Sequence, residues 1–252
     1  MTFVTEIKGL TRGLTRGLLV ATALLGLALP AAAETKPAPP PPYLMKGMDS
    51  TLFAVTWEPG TIDHLLPEGI TPVEGHAGGI NLYSVAQGYG LSPYSSAYFY
   101  VSVEGYDSPD GTPGRYVFGG FYGPAAVAEA MVRHYDFKVR DGIAVQLVED
   151  GVTTATAQMQ GEPMFSIKVK NAASDCPAIA GTVNYVSPSA SGDGMTVLEI
   201  PFAGDFCQGE AEGGLEVTAP EGDVLNGPKV AKILAAGHLK NASFSFTQPQ
   251  VR

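Results

Sequence analysis

Charge, histidine and cysteine are all scarce in this 252-residue chain. Charged residues make up 16% of it, and 25 acids outnumber 15 bases, for a formal net charge of −10. No basic stripe is present to follow a phosphate backbone, which argues against nucleic acid and anionic membrane surfaces as partners. The four histidines, His64, His76, His134 and His238, lie far apart with no HxH or HExxH spacing, so no metal site is expected. A GxxxxGK[ST] phosphate loop, a strand-bound GxGxxG and a GxSxG nucleophile elbow are all missing, and no cofactor is implied. The one long apolar run, residues 17–29, falls short of the about 20 residues that a membrane span needs.

That run reads instead as the core of a secretory signal. Lys8, Arg12 and Arg16 precede it, and Pro30-Ala31-Ala32-Ala33 supplies small residues for cleavage after Ala33. A signal at 1–33 implies a secreted or periplasmic protein with no membrane span once it is removed, and the mature chain is more acidic still. Residues 34–42 (ETKPAPPPP) form a proline-rich leader, expected to be extended and solvated. Residues 43–252 then make a single domain, long enough to bury a sizeable core. The two cysteines, Cys176 and Cys207, both fall in the exported part. An oxidising compartment favours a disulfide between them, closing a loop of about thirty residues and stabilising by roughly 3 kcal/mol.

The domain reads mainly as β-strands with a few short helices. Strands are expected at 51–57, 79–86, 95–104, 115–122, 143–148, 152–160, 164–170, 181–187, 194–202 and 242–247, punctuated by Gly/Pro turns. Along 95–104, Tyr98, Tyr100 and Ser102 alternate with Phe99, Val101 and Val103, the pattern of a half-buried strand. Helices are expected at 61–66, after Pro124, and at 228–236 with a stop at Gly237. Many short strands with Gly/Pro turns point to a closed or nearly closed β-structure.

Nine of the eleven tyrosines lie between Tyr83 and Tyr135. A tyrosine has a flat apolar body and a hydroxyl tip, which suits a cavity that grips a small organic molecule with few polar groups. It is also an ordinary strand residue. Tyr83, Tyr98, Tyr100 and Tyr122 are the candidate lining residues. In the turn after the second helix, Lys138 is a candidate amine nucleophile if buried and a solvated lysine if not. Arg140, two residues on, shares a strand face with it and could hold a carboxylate or carbonyl. His134, at the helix end, could act on a ligand or pack there.

The order of these pieces resembles the acetoacetate decarboxylase superfamily. IDHLLPEGI (62–70) follows a strand. A tyrosine-rich strand pair spans 79–104, GGFYGPAAVAEAMVRHYDFK (119–138) carries strand, helix and lysine in turn, and a strand pair follows at 143–160. The resemblance implies a closed or partly open antiparallel β-barrel around an apolar cavity, often in a homo-oligomer, and a Schiff-base lysine with a cationic neighbour. By that resemblance, two adjacent lysines fall at Phe137 and Lys138, an arginine of the first strand at Thr56, and two glutamates near Tyr83 and Ser96. The expected function is therefore binding of a small, mostly apolar ketone or keto acid without decarboxylation. Two alternatives stand beside it: a lyase using Lys138 as its amine, and a structural or interaction protein.

Overall fold

The computed structural model describes residues 37–171, 176–192 and 194–252, so the signal expected at 1–33 lies outside them. In chain order the strands are β1 (Tyr43–Trp57), β2 (Ala77–Tyr89), β3 (Tyr94–Val103), β4 (Gly114–Gly123), β5 (Arg140–Asp141), β6 (Ile143–Glu149) and β7 (Val152–Met159). They continue with β8 (Glu162–Asn171), β9 (Ala178–Pro188), β10 (Met195–Ala211), β11 (Glu216–Val217), β12 (Val230–Phe246) and β13 (Gln250–Val251). Two α-helices, α1 (Pro59–Ile62) and α2 (Ala125–Tyr135), interrupt them.

The pairings β12-β1-β2-β3-β4-β9-β10 close on themselves because β10 also pairs with β12. A ring of seven strands results. Its junctions are antiparallel except β4–β9, which runs parallel over Arg115↔Tyr185 and Tyr116↔Val186, so the sheet is mixed rather than wholly antiparallel. From β10 the sheet continues through β8, β7 and β6, and this second layer covers the outer face of β2 to β4.

Two cores follow from that arrangement. One lies between ring and second layer, where Phe165 meets Phe99 at 4.4 Å and Phe121 at 6.4 Å between ring centres. The other lines the inside of the ring and packs under α2. Strand β3 serves both: Tyr94, Tyr98 and Tyr100 point into the ring, while Ala97, Phe99 and Val101 point at the second layer. The alternation is therefore real, but both faces are buried rather than one.

Several expectations shift. Residues 228–236 are not a helix. From Val230 they enter the 17-residue strand β12, because pairing with β1, joined by β10 from Ala236 onward, overrides the helix propensity of an Ala/Leu/Lys-rich segment. Gly237 is needed for close approach, since a Cβ there would stand 2.7 Å from the Cys207 carbonyl oxygen. The helix expected at 61–66 is the four-residue α1 followed by a 3₁₀ turn at Asp63–Leu65. Strand β1 begins eight residues before the expected position. Of the leader, Ala38 packs on the inner core and the Pro41 carbonyl accepts a hydrogen bond from Gln248 at 2.7 Å, so this end is docked rather than solvated. Cys176 and Cys207 form the expected disulfide, across 31 residues, beside the end of the β9–β10 pairing.

Candidate functional site

Inward-facing side chains of all seven ring strands line a cavity of about 290 Å³ that opens to solvent on one side. That is room for about ten waters, at about 30 Å³ each, or a guest with on the order of ten non-hydrogen atoms. Leu52 and Ala54 of β1, Ile200 and Phe202 of β10, and Phe244 and Phe246 of β12 make one wall apolar. The facing wall carries the polar tips: Asn81 and Tyr83 on β2, Tyr98 and Tyr100 on β3, Arg115 and Tyr122 on β4, and Tyr185 on β9.

The ladder sets these contacts. Asn81 stands opposite Tyr98 and donates from Nδ2 to its Oη at 2.9 Å. Tyr98 Oη and Tyr185 Oη share a hydrogen bond of 2.7 Å. Arg115, beside Tyr185 at the parallel junction, donates from Nη1 to the Tyr185 hydroxyl at 3.2 Å. Its guanidinium also lies 4.6 Å from the centre of the Tyr100 ring and 5.8 Å from that of Tyr185, within cation–π range. Burial, reinforced by neighbouring phenols, pushes Tyr83, Tyr94, Tyr98 and Tyr122 well above the usual tyrosine range, and burial raises Tyr100 too. These phenols remain neutral O–H groups at ordinary pH. Desolvation pulls Arg115 down, but the oxygens of Tyr100, Tyr185 and Tyr98 outweigh it, and the guanidinium stays protonated.

Arg115 reaches the cavity because β4 is irregular. Tyr122 faces in and Phe121 out. Strict alternation from there would send Arg115 outward. Between the pairs Phe99↔Gly119 and Tyr100↔Val117 the register skips Phe118, so two successive β4 residues avoid the interior and the phase inverts. Tyr116 and Phe118 join the outer core, where Phe118 meets Trp57 edge-on at 5.3 Å, and Val117 and Arg115 turn inward.

The four tyrosines singled out in the sequence, Tyr83, Tyr98, Tyr100 and Tyr122, all line the cavity. The other three candidates are not brought to it. Helix α2 ends at Asp136, which adopts the left-handed conformation (φ 57°) and accepts a hydrogen bond from Thr196 at 2.6 Å. From that pivot Phe137 is buried and lines the cavity, Lys138 is exposed, and Val139 is buried again. Arg140 is held in a bidentate pair with Asp223, at 2.7 and 3.0 Å, with its guanidinium 4.8 Å from the Phe121 ring centre. His134 is half-buried in an edge-type contact with Tyr43, and its buried Nε2 has no hydrogen-bond partner among the described residues.

Among the described residues every lysine is exposed: Lys46, Lys138, Lys168, Lys170, Lys229, Lys232 and Lys240. No carboxylate lines the cavity either, so Arg115 is the one charged group on its wall among the described residues. The inward residues of β1 are Met48, Ser50, Leu52 and Ala54, and Thr56 is not among the lining residues. Tyr83 lines the cavity, and Ser96 is buried with its hydroxyl donated to the Phe121 carbonyl.

No protein-family model matches the chain, and no curated protein sequence matches it. Solved structures do share its fold. An acetoacetate decarboxylase superposes with a TM-score of 0.69 at 14% identity, covering 89% of this chain and 95% of that one. The acetoacetate decarboxylase of Legionella pneumophila gives 0.67 at 14% identity, over 90% and 93% of the two chains. The enduracididine biosynthesis enzyme MppR, complexed with pyruvate, gives 0.65 at 12% identity, over 89% and 95%.

Proposed function

We propose that this chain, which has the acetoacetate decarboxylase-like fold, is an exported protein that binds a small, mostly apolar organic molecule inside its ring of strands and does not decarboxylate it. One observation carries the reading: Phe137 occupies the cavity wall where the resemblance places the reactive lysine, while Lys138 stands in solvent. A Schiff base needs a neutral amine that can touch a bound carbonyl. The described cavity offers hydroxyls, an amide and a guanidinium, and a guanidinium neither deprotonates at working pH nor attacks carbonyls. Acid–base work is equally ill-served, because the buried phenols hold their protons. What the wall does well is bind, with apolar surface for the body of a guest and a few directed polar groups for its orientation.

Export fits the disulfide between Cys176 and Cys207. No helix among the described residues is long and apolar enough to cross a membrane.

Incubation of the folded mature chain with pyruvate or acetone and borohydride tests the absence of imine chemistry. The expected result is no mass adduct on Lys138 or any other lysine. A stoichiometric adduct at Lys138 that protects the protein from further trapping would replace this reading with that of a lyase.

A further inference from the structure

The polar wall of the cavity is unbalanced toward donors. The Tyr98–Tyr185 pair owns two hydroxyl protons, and the 2.7 Å bond between them uses one. Both oxygens already receive a neighbour's N–H, from Asn81 at 2.9 Å and from Arg115 at 3.2 Å. Whichever tyrosine donates to the other, one O–H proton is left over and needs an acceptor. Arg115 adds further N–H donors beyond the one spent on Tyr185. Its charge meets two aromatic faces, but no carboxylate pairs with it among the described residues. Elsewhere the protein treats its half-buried arginine differently, since Arg140 is neutralised by the Asp223 carboxylate at 2.7 Å. A half-buried cation beside a surplus hydroxyl proton, on the wall of an otherwise apolar hollow, is a site built for an anion with several acceptor lone pairs.

We infer that the guest is a small carboxylate with an apolar or aromatic body, its carboxylate received by Arg115 and the Tyr98–Tyr185 hydroxyl pair. This deepens the ligand-binding reading and rests on it. Arg115 is then the residue that selects acids over neutral compounds of the same shape. The resemblance pointed to Thr56 on the first strand and to the turn after α2 for its positive groups. This site lies instead at the β4–β9 junction, where the inverted phase of β4 delivers Arg115. The size of the hollow favours a body no larger than a single aromatic ring with a short side chain.

Phenylacetate and its neutral isostere phenylacetamide separate charge from shape. Calorimetric titration of the full mature chain is expected to give at least about tenfold tighter binding of the acid, the usual scale of one desolvated charge-assisted contact. Arg115→Met keeps most of the side-chain volume. It should remove that preference, with the acid losing far more affinity than the amide. Tyr185→Phe, which deletes the hydroxyl that takes the arginine's hydrogen bond and part of the proton pair, should reduce the preference by about threefold or more. It also serves as the second variant should Arg115→Met fail to fold by circular dichroism. Equal affinity for acid and amide, or a preference that survives both substitutions, overturns the assignment of Arg115 while leaving the cavity as a binding site. Binding of neither probe overturns both readings.

Discussion

A lysine placed at position 137 will be trapped by borohydride in the presence of pyruvate, in contrast to Lys138 next to it. Phe137 lines the cavity, and its ring centre lies 6.3 Å from that of Tyr185, whose hydroxyl accepts from Arg115. An amine in Phe137→Lys therefore enters an apolar hollow that already holds a guanidinium. Desolvation and the like charge both disfavour the ammonium form and lower the lysine pKa, which exposes a neutral amine near pH 7. The expected outcome is a single adduct at position 137 in the variant, read by peptide mass, against none in the parent chain. The variant will also melt lower, since it exchanges buried aromatic surface for an amine that must be kept neutral. A folded variant that stays untrapped would mean that this wall position is not open to a guest.

The second large effect concerns the outer core. Phe165 on β8 is fully buried between Phe99 and Phe121, and these rings join the second layer to the ring that holds the cavity. Phe165→Ala removes the central member of this contact. It should cost about 3–5 kcal/mol, the usual range for emptying a buried phenylalanine site. Denaturant titration measures it, and the transition should remain a single cooperative one. A loss under about 1 kcal/mol would show that the two layers do not depend on that contact.

The physical origin of the site explains which parts of it could be read without coordinates. Alternation along β2 and β3 is regular where it matters, so Tyr83, Tyr98 and Tyr100 share an inner face, and the richness in tyrosine between residues 83 and 135 is visible in composition. Tyr122 lies across the ladder from Ser96 and falls on the same face. The cysteine pair was legible from compartment and number alone. Arg115 was not, because a period of two counted back from Tyr122 sends it outward, and only the skipped residue at Phe118 reverses it. The hint available was the Gly119-Gly120 pair, since glycine inside a strand often marks a bulge or a close approach. A Cβ on Gly120 would stand 2.5 Å from that of Tyr98. Tyr185 stands apart from the tyrosine-rich stretch, and its role depends on a parallel pairing of β4 with β9 that spans 70 residues of chain. The orientation of Lys138 turned on one residue, Asp136, whose left-handed backbone decides which neighbour enters the ring. The strand at 230–246 was hidden by helix-forming residues whose fate depends on pairing with β1, distant in sequence.

A crystal of the mature protein grown with saturating phenylacetate bears most directly on the central claim, that a ring lined with phenols and a guanidinium with no carboxylate partner among the described residues holds an organic acid intact. The account predicts one molecule inside the ring, its ring against the apolar wall of Leu52, Ile200 and Phe244, and its carboxylate in hydrogen-bond contact with Arg115. An interior closed by its own side chains, or a ligand bound only on the outer surface, would contradict it.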